Sequence, residues 1–304
     1  MTAADDRTAR AMLSWLTEPG DDTVSRLVAE HGPVTALDRL AADPDTPPLL
    51  RAEVRPLPGP LRALAASAAD AAMAACRVIV PGDPDWPPGL DALPYPPLCL
   101  WTAGPARPPV PAAAVTVAGT RAASAYGRIV AMDLAAGLAA RGYTVVSSGR
   151  PGIDAAALRA AAATASPVAL LPCGLQRLQA PDELRLLEHL AAAGLLASAW
   201  PPDAQPTPAR TIANRALLAA VSSGTVVVEA RGGHGSVTVA RRAADFGRTA
   251  MVVPGPVTAA TSAGVHRLLR TDPRIRAVTG VTDVLDELRA AGPQAPSRAI
   301  ASGS

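Results

Sequence analysis

Val115–Gly127, VTVAGTRAASAYG, is the stretch on which the fold turns. Val115 and Val117 alternate as in a buried strand, Gly119 breaks the run, and Thr120, Arg121 and Ser124 follow before helix-compatible residues extend to about Ala140. A strand that turns through glycine into a helix leaves backbone N–H groups free at the helix start, and these favour an anion. Arg121 adds a guanidinium able to grip a phosphate through two parallel hydrogen bonds. Two readings stand side by side here: a phosphate or nucleic-acid contact at the carboxyl end of a sheet strand, and an ordinary strand-to-helix turn with a surface arginine.

Downstream the same alternation repeats. Strands are expected at Thr144–Ser147, Val168–Leu171, Leu195–Ala199, Thr225–Glu229 and Thr249–Val253. Helices are expected near Ala155–Ala163, Asp182–Ala192, Ile212–Ala220, Val237–Phe246 and Gly264–Leu269, and Val278 and Val281–Leu288 close the domain. Apolar strand runs alternating with helices predict an α/β fold, a mainly parallel sheet with helices on both faces. Ligands of such sheets sit at the carboxyl ends of the strands. Gly119, Gly149 and Gly152, Gly174, Gly232, Gly233 and Gly235, and Gly255 each follow an expected strand, with Arg121, Ser124, Arg150, Arg231 and Ser236 beside them and Asn214-Arg215 on an intervening helix. That recurrence favours an anion-binding sheet edge.

Upstream, residues 1–76 read as a small all-helical domain, with Ala11, Leu13 and Leu16 in a first helix, Val24, Leu27 and Val28 in a second, Val34–Ala42 in a third and Pro60–Ala75 in a fourth. Its acidity suits a docking or structural element better than a nucleic-acid contact. Residues 77–110 form a proline-dense extended linker expected to cap the edge of the core, with Trp86 and Tyr95 fixing it in place. The Rossmann-like domain then spans 111–288, and 289–304 is expected to be disordered.

Composition narrows the function classes. All 28 basic side chains are arginine, so a P-loop with its lysine is excluded. Residues 1–109 carry 9 Arg against 14 acidic residues, whereas 110–288 carry 17 against 12. A basic second domain behind an acidic first one is compatible with an anionic ligand. Cys76, Cys99 and Cys173 lack CxxC spacing, and His31, His189, His234 and His266 form no HxH or HExxH pair, so neither a metal nor another cofactor is expected. The polar, acidic start is not a secretory leader and no apolar run has membrane-spanning length, which points to a cytoplasmic protein with reduced thiols and no membrane partner.

Together these motifs resemble the DNA-processing protein A (DprA/Smf) family. The pattern G-x-R-x-x-S-x-Y-G stands as Gly119, Arg121, Ser124, Tyr126 and Gly127, and the SG…GID turn as Ser147–Asp154. Cys173-Gly174-Leu175, Asn214-Arg215, Val227–Ala230, the loop Gly233–Ser236 and Val253–Gly255 follow in the family's order, and GDPDWPP stands at Gly82–Pro88. The resemblance implies an extended Rossmann-like domain behind a small SAM- or helix-hairpin-helix-like domain, acting as a homodimer without turnover chemistry. It further implies binding of single-stranded DNA, protection of incoming strands, and loading of RecA recombinase during natural transformation. The site residues expected from turn chemistry and resemblance are Gly119, Arg121, Ser124, Gly149, Arg150, Gly152, Asn214, Arg215, Gly233, Gly235, Ser236 and Gly255. Departures from the family pattern fall at Pro151, Leu158, Ala213, Val239 and Gly264-Val265-His266.

Two alternatives accompany that reading. One is a diverged paralogue with weakened DNA binding. The other is a nucleotide-binding enzyme, because Arg231–Ser236 is similar to the PGGxGTxxE loop of lysine-decarboxylase-like phosphoribohydrolases. Val239 occupies the position of the glutamate those enzymes need, and valine carries no proton. Glu229, at the end of a strand, either positions arginine side chains or holds the one carboxylate with catalytic potential.

Overall fold

The valines at 115 and 117 lie in a strand at the middle of one nine-stranded sheet. The computed structural model describes residues 3–42, 73, 76–177, 181–233 and 235–292, and all elements named below lie among them. The strands are β1 (Arg77–Ile79), β2 (Leu100–Ala103), β3 (Ala114–Gly119), β4 (Thr144–Ser147), β5 (Val168–Leu171), β6 (Leu195–Ser198), β7 (Gly224–Val228), β8 (Thr249–Val253) and β9 (Ile275–Ala277). The helices are α1 (Ala3–Leu16), α2 (Asp22–His31), α3 (Pro33–Ala42), α4 (Ala125–Ala139), α5 (Ile153–Ala162), α6 (Pro181–Ala193), α7 (Pro208–Ala220), α8 (Ser236–Asp245), α9 (Ala263–Thr271) and α10 (Val281–Ala290).

The order across the sheet is β1-β2-β6-β5-β4-β3-β7-β8-β9. Pairing is parallel from β6 to β9, and β1 and β2 extend one edge in antiparallel register. The strand order reverses beside β3. The chain runs outward through β4, β5 and β6, then returns to pair β7 with β3. Connections that leave a sheet in opposite directions open a crevice at the carboxyl ends of the two strands.

Burial explains why these residues form strands. Val115, Val117, Val145, Val226, Val228 and Met251 pack beneath α4, α5 and α10, while Ala114, Ala118, Val146, Val227, Ala250 and Val252 face α7, α8 and α9. A strand buried on both faces reads as a continuous apolar run, as these do. Alanines 131, 135, 139, 156, 157 and 161 keep the α4–α5 contact narrow. Thr116 is the polar exception on β3, and its hydroxyl donates to Leu218 O at 2.7 Å, which satisfies it beneath α7.

The helices α1–α3 pack against the added strands. Met12, Leu13, Leu16, Val24 and Leu37 share a core with Val78, Val80, Trp101, Leu158 and Leu171. Trp15 meets Trp101 edge-to-face at 5.0 Å, and Arg7 donates to both carboxylate oxygens of Asp83, at 2.7 and 2.9 Å. In the proline-dense segment Trp86 is buried and its indole N–H donates to Asp91 Oδ1 at 2.9 Å, so this ring fixes the segment and does not face solvent.

Several boundaries differ from the sequence expectation for identifiable reasons. Helix α7 begins at Pro208, four residues before Ile212, because Thr207 caps it and proline suits the first helical turn. β7 stops at Val228, since Glu229 adopts φ 57° and leaves the strand. β9 was not expected, its run being only three residues long. Arg289 and Ala290 complete α10 and are not part of a disordered tail. The segment from residue 293 and almost all of the helix expected at Pro60–Ala75 lie outside the described residues.

Leu158, on α5, is fully buried in the core that also holds Leu171, Leu186 and Leu187. Leu158→Ala is expected to lower the unfolding free energy by about 2–5 kcal/mol. Urea denaturation followed by circular dichroism measures it, and a change under 1 kcal/mol contradicts the packing described here.

Candidate nucleic-acid interface

At the crevice beside β3 lies a cleft of about 600 Å³. One wall is the end of β3 and the turn after it, with Gly119 and Arg121. A second wall is the β4–α5 turn, with Ser148, Arg150 and Asp154. The third is the first two turns of α7 with the loop before it, and the fourth is the start of α8.

Of the expected site residues, Gly119, Arg121, Arg150, Asn214, Arg215, Gly233, Gly235 and Ser236 line this cleft. The guanidinium of Arg121 is exposed. Arg150 donates from Nη1 to Thr211 Oγ1 at 2.6 Å, across from its own turn. Arg215 is half-buried, and burial together with the positive charge of Arg150 holds its guanidinium below the usual value. Two like charges facing one cleft, with burial opposing that of Arg215, form an electrostatic setting that an anion relieves. Gly235 lies directly against the Arg215 guanidinium, so a side chain there would displace that group. Gly235, at the N-cap of α8, makes no side-chain cap hydrogen bond, and Gly235 and Ser236 bring the positive end of this helix to the same cleft. Asn214 is buried, donates to Leu170 O at 2.8 Å and so ties α7 to β5, while its Oδ1 has no partner among the described residues.

The other four expected residues lie elsewhere. Gly152 precedes α5 with φ 93°, and a side chain there would strike the backbone oxygens of Thr120 and Arg121, so it packs the two turns together without facing the cleft. Gly149 sits against Leu171 and Leu187. Gly255 is at the end of β8, where its carbonyl pairs with His266 Nε2 at 3.1 Å. Ser124 caps α4, accepting from Gly127 N at 3.0 Å. His234 lies outside the described residues.

Ser124 also explains Glu229. The Glu229 carboxylate accepts from Ser124 N at 2.9 Å, Ser124 Oγ at 2.5 Å and Thr261 Oγ1 at 3.0 Å. It positions no arginine. Its place is the start of α4, where a carboxylate satisfies free N–H groups, and Thr120 N donates to its carbonyl at 2.9 Å. Asp154 plays the corresponding part on the other side. It accepts from Gly119 N at 3.0 Å and from the Ser148 hydroxyl, joining the ends of β3 and β4, and does not cap its own helix.

Sequence reading missed Ile212. It is 58% exposed and lines the cleft one turn from Arg215, with Pro206 and Pro208 on the same wall. Tyr126, from the G-x-R-x-x-S-x-Y-G pattern, is held by its hydroxyl on Pro254 O at 2.8 Å and does not line the cleft. An isolated isoleucine among helix-forming residues carries no signal of exposure, so Ile212 was legible only from the fold.

A family model described as DNA recombination-mediator protein A matches residues 77–289. The chain belongs to that family. A Mycobacterium tuberculosis (strain H37Rv) protein that carries the DprA name is 38% identical over 299 residues, covering 92% of this chain and 75% of the relative. DNA processing protein DprA of Bacillus subtilis (strain 168) is 27% identical over 178 residues, covering 57% of this chain and 58% of its own. Among solved structures, DNA processing protein A from Streptococcus pneumoniae aligns with a TM-score of 0.76 at 22% identity over 94% of this chain and 99% of that one. DNA processing protein A from Helicobacter pylori, described in terms of its single-stranded DNA binding mode, aligns at 0.61 and 24% identity over 70% and 96%. These likenesses establish the fold.

Departures from the family pattern now have locations. Pro151 does not turn Arg150 away, since Arg150 faces the cleft. Leu158 and Ala213 belong to the core and its margin, while Val239 is buried at the cleft wall. Among the described residues no cluster of His, Cys, Asp and Glu could hold a metal ion, and no helix is long and apolar enough to cross a membrane.

Burial raises the Asp154 carboxyl from its ordinary 3.8 to about 6, against the opposing hydrogen bonds from Ser148 and Gly119. The folded state therefore binds this proton more tightly than the unfolded chain. The stability it contributes is fully present below about pH 4 and is lost as pH rises through about 6. Asp154→Asn keeps the acceptor for Gly119 N–H and is expected to flatten that part of the stability profile. Thermal melts from pH 4 to 7 measure it, and parallel curves for the two proteins contradict the assignment.

Proposed function

We propose that this protein binds single-stranded DNA in the cleft at the carboxyl ends of β3, β4 and β7. The observation that carries this reading is the convergence of Arg121, Arg150 and Arg215 with the start of α8 on one cleft. Arginine forks and backbone N–H groups recognise phosphate and carry little base information, so binding is largely independent of sequence. The apolar wall of Ile212, Pro206 and Pro208 offers a surface for a base, which suits a nucleotide chain better than a bare anion. Membership of the DNA recombination-mediator family supports the same reading, as does the described property of the Helicobacter pylori relative.

In this reading the protein is a cytoplasmic homodimer that shelters incoming strands in natural transformation and delivers them to a RecA recombinase. It is a binding protein and not an enzyme. Asp154 is the one carboxylate lining the cleft, and it is engaged by Gly119 and Ser148, while Val239 stands where a phosphoribohydrolase needs its glutamate. Incubation with AMP is accordingly expected to release no adenine.

Fluorescence anisotropy with a labelled oligothymidine at several salt concentrations tests the binding. Three phosphates neutralised on a single strand give a slope of log K against log salt of about −2. Arg150→Ala is expected to weaken binding and reduce that slope by about 0.7. Ile212→Ala, which removes apolar contact only, is expected to weaken binding by roughly fivefold with the slope unchanged. Absence of binding at low salt, or an unchanged isotherm for Arg121→Ala, overturns the reading.

A further inference from the structure

The acidic N-terminal module reaches the cleft through a chain of hydrogen bonds that runs from Glu18, at the surface, to the buried Arg210. Glu18, in the turn between α1 and α2, accepts from Arg210 Nη2 at 2.5 Å and Nε at 2.9 Å. It also accepts from the Trp200 indole N–H at 2.6 Å. Arg210 is the third residue of α7 and only 4% exposed, and it donates to Gln205 O at 2.8 Å as well. A cation there faces both desolvation and the positive end of the helix dipole, so it needs an acid close by. Glu18 is that acid, and it comes from another part of the fold, 192 residues away in sequence.

The next residue along α7 is Thr211. Its hydroxyl donates to Thr207 O at 3.0 Å and accepts from Arg150 Nη1 at 2.6 Å. One helical turn therefore holds Glu18 on its outer side and Arg150 on its cleft side. A second tie runs parallel, from the Trp15 indole N–H to Asp203 Oδ1 at 3.1 Å, in the loop leading to α7. The Arg7–Asp83 pair also joins the module to the sheet, but it lies at β1 and touches no part of α7.

We propose that Glu18 is a positioning residue for the nucleic-acid cleft: through Arg210 it fixes the first turn of α7, and through Thr211 the direction of Arg150. The module thus acts on strand binding without touching the strand. This inference rests on the reading of the cleft as a single-stranded DNA site.

The test uses the full chain and labelled oligothymidine at fixed low salt. Glu18→Gln is expected to weaken binding by about fivefold, and Arg150→Ala to lose correspondingly less on the Glu18→Gln background than alone. Should Glu18→Gln disturb folding, Arg210→Met removes the buried charge that requires Glu18 and cuts the same tie, with the same expected loss. Asp83→Asn, which breaks the other tie, is expected to lower the melting temperature and leave affinity unchanged. Wild-type affinity in both Glu18→Gln and Arg210→Met, or fully additive effects with Arg150→Ala, overturns the inference while leaving the DNA site intact. A wild-type chain that does not bind oligothymidine overturns both.

Discussion

The structure depends on one juncture, the pairing of β3 with β7 where the strand order reverses. Parallel pairing over Val115–Gly119 and Gly224–Val228 brings together segments more than a hundred residues apart and sets their carboxyl ends side by side. Two carboxylates hold the edges of the opening. Glu229 leaves β7 in a left-handed conformation and takes the free N–H and hydroxyl groups at the start of α4. Asp154 ties β3 to β4 from the other side. Neither carboxylate neutralises an arginine, so the cationic character of the cleft is preserved. The half-buried position of Arg215 beside Arg150 follows from the same geometry, and it is the unfavourable element that an anion relieves.

Most of the sheet was legible in the sequence because a strand buried on both faces must be a short continuous apolar run, and β3, β4, β5 and β8 are that. The glycine turns were legible for the same kind of reason, since close approach of backbones excludes a Cβ at Gly152. Arg121, Arg150 and Arg215 share the cleft because residues near the carboxyl ends of parallel strands, or on the helices beside them, have one place to meet.

What was not legible depended on contacts distant in sequence. Ser124 looks like a phosphate ligand in a strand-turn-helix pattern, yet its hydroxyl is taken by Glu229, 105 positions away. Asp154 looks like a helix cap until the fold brings Gly119 N–H to it. Ile212 gains meaning only when α7 is known to begin at Pro208 and to present its first turns to the cleft. Charge counts separated an acidic first part from a basic second one, but they concealed Glu18 and Arg210, whose attraction crosses that division.

One cleft, built from four separate turns and helix starts, is proposed to receive a nucleic-acid strand, and hydrogen exchange of the full chain with and without oligothymidine reads this at every segment. Added protection is expected together in the turns around Gly119–Arg121 and Arg150–Asp154 and in the first turns of α7 and α8, with α2, α3 and α10 unchanged. Protection confined to the helical module, or to α10 and its surroundings, would contradict it.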